Sequence, residues 1–447
     1  LINENAIKPR KKLPLVLQYF IAFQCGIYIG SSLIPDAIIG VGYIILSALI
    51  VFFAFMGNTK KFFALVPFLI YSEIYARANI HFIIYLYAQY VLLISFLLLL
   101  LKQGTVIKFR SRAFVFILMY AFIELVDSFR TVETDFARVA VVNSLLLFVV
   151  SFWSSTNQVG LKLLNTFLDN LKLAGVYLVG IVAAAHVSGH IDYVSHSSSA
   201  ATNGLAPVQI SGYLGTASIL FFLSIVNELE RKNLIANIVI FVMSTTFMLL
   251  SFSRGGLYFL VIIVILYFIF NWKKAGNYAM LIILIPIGFL IYNYVITTTN
   301  GRIVERYEQQ GASGRDELVQ VGWTIFLSDP VAGIGTGNFS KEIVKRQLFS
   351  VESGAHNEFV RAAAEHGILG IVTYRGFYVA LFVEVMLRKG VARSFSLFFF
   401  VLFCLIIVHN GMKISVQPML LLFVVAVPFI PKIADKKNVQ NYHKQPA

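Results

Sequence analysis

Acidic residues and cysteines are scarce in this chain. Of 447 residues 22 are Asp or Glu and 36 are Lys or Arg, a charged share of 13%. A soluble chain of this length needs far more charge to cover its surface, so a soluble globular fold is excluded. The two cysteines, Cys25 and Cys404, lie inside apolar runs. They form neither a disulfide framework nor a metal site. The alternating ten-residue runs of a β-barrel are missing, as are a P-loop and a nucleophile elbow. The polar part has no DxD pair and no His/Cys ligand spacing, and His186, His190 and His196 are too loosely spaced to hold a metal. No internal repeat is visible.

What is present is apolar. Hydrophobic residues make up 58% of the chain and the mean hydropathy is +0.79. Continuous runs such as 92–101 and 257–270 specify an all-α polytopic membrane protein. Counting runs gives about 14 transmembrane helices, within a range of 12–14. They fall near 14–34, 38–56, 62–76, 80–101, 113–126, 137–154, 168–187, 208–227, 234–252, 256–271, 278–297, 367–387, 395–411 and 415–431. The first run follows Lys8, Arg10, Lys11 and Lys12 without a small-residue cleavage site, so it reads as a retained helix.

The formal charge of +14 sits mostly in short loops. Alternate loops receive Lys60 and Lys61; Lys102, Lys108, Arg110 and Arg112; Lys162; Arg231 and Lys232; Lys273 and Lys274; Arg388, Lys389 and Arg393; and the Lys-rich tail. The other loops hold few cations: Arg77, Arg130, Arg138, Arg254 and Lys413. This asymmetry is the positive-inside pattern, not a nucleic-acid footprint. It predicts a multi-pass protein with both termini cytoplasmic. The expected organisation is transmembrane helices over 1–297, a large extracytoplasmic loop over 298–366, three last helices over 367–431, and a cytoplasmic basic tail over 432–447. The short outer stretch 196–203 is rich in turn formers.

The large loop predicts amphipathic helices lying against the bundle. Ser313-Gly-Arg-Asp316 fits a capping box, with Leu318, Val321, Ile325 and Phe326 at roughly helical spacing and Asp329-Pro330 as the stop. Gly333, Gly335 and Gly337 mark a tight turn or, alternatively, an anion nest. Asn338 opens a second helix reaching Phe349. His356-Asn357-Glu358 starts a third, with Arg361 and Glu365 as an i,i+4 pair.

Three residues in this pattern carry chemistry. Arg254 sits in a tight turn between two apolar helices, on the face where cations are rare. Gly255 and Gly256 permit close backbone approach there, and a guanidinium fork suits a phosphate. The plainer alternative is a snorkelling arginine at lipid headgroups. Arg315 lies in the first turn of a helix, where free N–H groups attract an anion; a solvated helix start is the alternative. His356 stands beside a helix N-terminus, whose dipole favours the neutral imidazole that a general base requires; a capping or packed histidine is the alternative. Asn357 and Glu358 are placed to orient that base or an acceptor. Arg302, Arg306 and Arg361 are surplus outer arginines able to bind substrate.

The ordered set Ser253-Arg254-Gly255-Gly256, Gly314-Arg315, Trp323, Asp329-Pro330, Gly333-Ile-Gly-Thr-Gly-Asn-Phe339, Ala355-His-Asn-Glu-Phe359 and Glu365-His-Gly367 with Gly370 resembles the bacterial O-antigen ligase and O-antigen polymerase superfamily. The resemblance covers about 250–370; the flanking helices match in character only. It implies a GT-C-like glycosyltransferase of the bacterial inner membrane. Such an enzyme is metal-independent, inverting and without cofactor, with an undecaprenyl diphosphate-linked glycan as donor. Arg254 and Arg315 would bind the diphosphate and His356 would be the base. The acceptor would be a second carrier-linked repeat unit in a polymerase or lipid A-core in a ligase. The high helix count and the surplus arginines favour the polymerase. Membrane lipids and a chain-length regulator are the expected partners, and nucleic acid is not. A lipid-linked oligosaccharide flippase is the alternative from another class; it calls for internal repeats and mid-membrane charges.

Overall fold

The computed structural model describes residues 13–102, 111–131, 134–157, 159–188, 191, 193, 199–227, 231–271, 275–308, 315–348, 352–410 and 414–425. Several sequence features lie outside the described residues: Lys8–Lys12, Lys108, Arg110, His190, His196, Lys273, Lys274, Ser313 and Gly314, Phe349, Lys413 and everything after 425. Among the described residues the regular secondary structure is helical throughout.

In chain order the first helices are α1 (Leu15–Gly30), α2 (Asp36–Phe55), α3 (Thr59–Asn79), α4 (Tyr87–Leu101), α5 (Phe114–Ser128), α6 (Thr134–Thr156) and α7 (Leu161–Val187). Then follow α8 (Pro207–Asn227), α9 (Arg231–Leu250), α10 (Gly255–Asn271) and α11 (Ala275–Thr298). Three short helices, α12 (Arg302–Glu308), α13 (Arg315–Ser328) and α14 (Phe339–Lys345), precede α15 (Glu358–Gly370), a π-helical turn (Ile371–Arg375), α16 (Gly376–Met386), α17 (Gly390–Asn410) and α18 (Val416–Val425).

A helix stands at each of the 14 expected positions. Among the described residues, 7 helices are long and apolar enough to cross a membrane, or 8 if a bent pair counts as one span. The difference has a physical origin. The described parts of α1, α4, α10 and α18 are apolar but short; α3 carries Lys60, Lys61, Glu73 and Arg77, and α5 carries Glu124 and Asp127. Lipid-facing surfaces are apolar, as exposed Phe20, Ile38, Val41, Phe52, Ile265 and Phe289 show.

Packing among the spans relies on small residues. Gly26 and Gly30, four apart on α1, face Gly180 and Ile181 of α7, so closely that any Cβ would meet backbone. This is the small-xxx-small mode of membrane helix pairs. The same device joins α8 to α10 through Gly215 and Gly256.

The large loop builds a core of its own. Leu318, Val321 and Ile325 of α13 pack with Phe339 and Ile343 of α14 and Ala355 and Ala364. Leu318, Val321 and Ile325 are positions the spacing predicted, while the predicted Phe326 stands outside this cluster. Helix α14 is shorter than expected: Gln347 has φ +57, which ends it. Asn338 stands at its start, but the side chain makes no cap bond and donates to the Ile334 carbonyl at 2.9 Å. Gly333, Gly335 and Gly337 all have positive φ. Their turn docks on α15, with Ile334 N bonding Ala364 O at 3.1 Å and Gly335 N bonding Glu365 O at 2.8 Å. Those donors are used internally, so this is a tight turn rather than an anion nest.

One expected boundary moves. The apolar run starting at 367 is continuous with α15, and the combined helix spans Glu358–Met386. It breaks only at Gly367, with φ 60 and ψ −144. The amphipathic stretch before the break reads as loop in sequence because Arg361, Glu365 and His366 interrupt its apolar character.

Candidate active site

The turn between α9 and α10 fixes Arg254. Phe252 takes φ +57. Ser211 of α8 donates its hydroxyl to the Ser253 carbonyl at 2.8 Å, and Gly256 N donates to Ser211 Oγ at 3.0 Å. A Cβ at Gly256 would strike the Ser211 carbonyl, and one at Gly255 the His409 ring. The two glycines therefore serve the close approach their sequence suggested.

Helix α12 brings a second arginine. The segment Ile282–Thr298 ends in a bend of 108°, with Asn300 and Gly301 at positive φ, and α12 then runs across the end of the bundle. Arg306 is buried, and its Nε donates to the Phe252 carbonyl at 3.4 Å. Arg254 Nη2 donates to the Arg306 carbonyl, and its guanidinium lies 5.3 Å from the centre of the Tyr307 ring. Arg315 enters from the first turn of α13. Burial, then the charges of Arg306 and Arg254, lower its hold on its proton. Three guanidinium groups thus press on one another, which is the electrostatic setting of an anion site.

Arg254, Arg306, Arg315, His356 and Asn357 line one cavity of about 510 Å³, with Tyr258, Asp316 and His409. His356 has φ +51. It stands just outside α15, whose N-cap is Asn357; the Asn357 side chain accepts from Phe359 N at 3.0 Å. His356 also borders a smaller cavity of about 90 Å³ shared with Glu358, Arg361 and Asn410. His356 and the three arginines thus line the same cavity.

Three predicted residues lie elsewhere. Arg302 donates to the Tyr193 carbonyl and does not line the cationic cavity. Glu358 accepts from Arg361 Nε at 2.6 Å. Arg361 is spent inside the fold: it also reaches Glu365 at 2.5 Å, Glu124 at 2.6 Å and the Tyr120 hydroxyl at 3.1 Å. The i,i+4 pair with Glu365 is present, and three carboxylates surround the Arg361 fork, which also borders the smaller cavity beside His356.

This network extends to His366, whose Nδ1 is 2.7 Å from Asp127 and whose Nε2 is 3.4 Å from Glu124. Glu124, Glu365 and His366 bring ligand atoms within 4.8 Å of one another, a spacing a metal ion could use. Arg361 already supplies positive charge to both carboxylates, so the set reads as an ion-pair network. Thr336 ties the glycine turn to it by donating to the Glu124 carbonyl at 2.8 Å.

Sequence reasoning missed His409 and Asn410. His409 Nδ1 lies 3.0 Å from Asn410 Oδ1, and Asn410 Nδ2 donates to Val208 O at 2.9 Å. A His-Asn pair ending an apolar run was the available signal, as were Glu124 and Asp127 within another.

The segment that holds this geometry, residues 239–374, matches the family model described as O-antigen ligase. The matched segment includes the Arg254 turn, all three loop helices, His356 and the start of the last helices, so the cationic cavity is formed largely within it. The resemblance to the O-antigen ligase and polymerase superfamily is thereby supported, and with it an enzyme of glycosyltransferase type acting on lipid-linked glycan. No curated protein matches the chain significantly.

Proposed function

We propose that this protein transfers a glycan from a polyprenyl diphosphate carrier, such as undecaprenyl diphosphate, to a sugar hydroxyl at the outer face of the bacterial inner membrane. The observation that carries the reading is the convergence of Arg254, Arg306 and Arg315 on a cavity that His356 also lines. The cations hold the diphosphate and stabilise the charge that builds on it as the anomeric C–O bond breaks; fixed charge aimed at developing charge is commonly the largest catalytic contribution. His356 takes the proton of the attacking hydroxyl. The energy for transfer resides in the diphosphate linkage, so no nucleotide or cofactor is required.

A place for the carrier's tail supports the same reading. An apolar cavity of about 550 Å³ lies among α9, α10, α11 and α12. Helix α12 divides it from the cationic cavity, giving Arg306 to one side and Tyr307 to the other. A head-and-tail substrate fits this arrangement: anionic at one end, isoprenoid at the other.

The acceptor separates polymerase from ligase. The case for a polymerase used a high span count and surplus arginines for a second carrier diphosphate. Of those arginines only Arg306 joins the cavity, so no second diphosphate site finds support among the described residues. Ligation to an acceptor such as lipid A-core is the better supported of the two. The test is transfer by purified protein from a carrier-linked glycan, with lipid A-core present or absent. Modified lipid A-core without a ladder of lengthened carrier-linked glycan is the expected result. A ladder formed without lipid A-core would establish polymerisation instead. No transfer to either acceptor would overturn the reading.

A further inference from the structure

The bundle holds a second cavity, of about 600 Å³, that the transfer reaction does not use. It opens at the opposite end. Helices α8, α10 and α17 line both cavities: α8 gives Val208 to one and Ser224 to the other, α10 gives Tyr258 and Asn271, and α17 gives His409 and Ser394. Only about 8 to 9 Å of helix separates the two, counting from Ile262 to Tyr267 and from Phe399 to Leu405. Buried Phe222, Ile263 and Leu402 belong to the apolar core between them. By the distribution of basic loops, this second cavity faces the cytoplasmic leaflet.

Its chemistry is amphiphilic. Lys172, with a side chain only 16% exposed, places Nζ 3.4 Å from Ser224 Oγ and 3.4 Å from the largely exposed Asp169. Amide side chains of Asn165 and Asn271 stand around it, and Phe395 and Phe398 complete the wall. A half-buried lysine whose carboxylate neighbour Asp169 lies out in solvent is only weakly compensated by it. Exposed Lys162 and Arg393 lie on the same end of the bundle. Cations, amides able to bond hydroxyls, and aromatic walls together define the ligand class.

We propose that this cavity binds one phospholipid with an anionic, hydroxyl-bearing headgroup from the inner leaflet, its phosphate on Lys172. The proposal does not depend on the transfer reaction, and its readout is binding. Purified full-length protein, stripped of lipid in detergent, would be exposed to phosphatidylglycerol, phosphatidylcholine or inorganic phosphate and weighed by native mass spectrometry. The expected result is one retained phosphatidylglycerol per chain. Retention falls about tenfold in Lys172→Gln, survives in Lys172→Arg, and rises a few-fold in Asp169→Asn, where the competing carboxylate is removed. The Asp169 variant changes an exposed side chain, so it tests the site even where Lys172→Gln fails to fold. Equal retention of phosphatidylcholine, or indifference to both Lys172→Gln and Asp169→Asn, would overturn the site. Displacement of the lipid by millimolar inorganic phosphate would overturn the lipid as ligand.

Discussion

Two groups of arginines lie within the same 110 residues, and they are built on opposite principles. Arg361 sits among Glu124, Glu358 and Glu365 at 2.5 to 2.6 Å, its charge answered by the protein. Arg254, Arg306 and Arg315 line a shared cavity, and the charges of Arg306 and Arg254 bear on Arg315. A compensated guanidinium holds elements together; here it ties α5 to α15. Bringing like charges together is costly, and such clusters collect at sites that bind anions. The contrast does not follow exposure, since Arg306 is as buried as many core residues.

Substitutions should divide along the same line. Removing Arg361 leaves buried carboxylates without their cation. Arg361→Ala is expected to lose about 3–5 kcal/mol of stability, read as a lowered unfolding temperature in detergent. Removing a cavity arginine relieves repulsion instead. Arg315→Ala should keep or raise the unfolding temperature while transfer falls by about 10²–10³; the same holds for Arg254→Ala. A structural role for Arg315 would show as parallel loss of both. Gly256→Ala tests the close packing behind the turn. Its methyl meets the Ser211 carbonyl, and a loss of about 1–3 kcal/mol is expected, with impaired transfer because Arg254 shifts.

The smallest effect belongs to the surface pair of Arg346 with Asp329 at 2.8 Å. Asp329→Asn should cost no more than about 1 kcal/mol and leave transfer unchanged. The Arg346 hydrogen bond, then that of Ser328, holds the Asp329 carboxyl below its ordinary range. Its contribution is therefore fully present above the unfolded-state value and fades as pH falls through the folded one. An acid titration of wild type against Asp329→Asn should converge at low pH.

The helical class and the positions of the helices were legible in sequence because apolar runs are continuous and lipid imposes a minimum length. The short helices of the loop were legible through the spacing of Leu318, Val321 and Ile325. The cavity was partly legible: Arg254, Arg315 and His356 each stand where local rules make them unusual, at a tight turn or a helix start. The surroundings of Arg361 were legible only in part. Its partner Glu365 is four residues away and visible, while Glu124 is 237 residues away and approaches only through packing. Arg302 and Arg306 look alike in sequence, yet from the two ends of α12 they reach different carbonyls, Tyr193 and Phe252. Asn410 and His409 were hidden because the end of a span gives no sign of what it faces.

The central claim is that the Arg254, Arg306 and Arg315 cavity holds a lipid diphosphate. The most direct measurement is the affinity of purified protein for polyprenyl diphosphate, for wild type, Arg315→Ala and Arg302→Ala. The account predicts at least tenfold weaker binding for Arg315→Ala and little change for Arg302→Ala, whose guanidinium is bonded to the Tyr193 carbonyl. Equal affinity in wild type and Arg315→Ala, in protein of unchanged unfolding temperature, would contradict it.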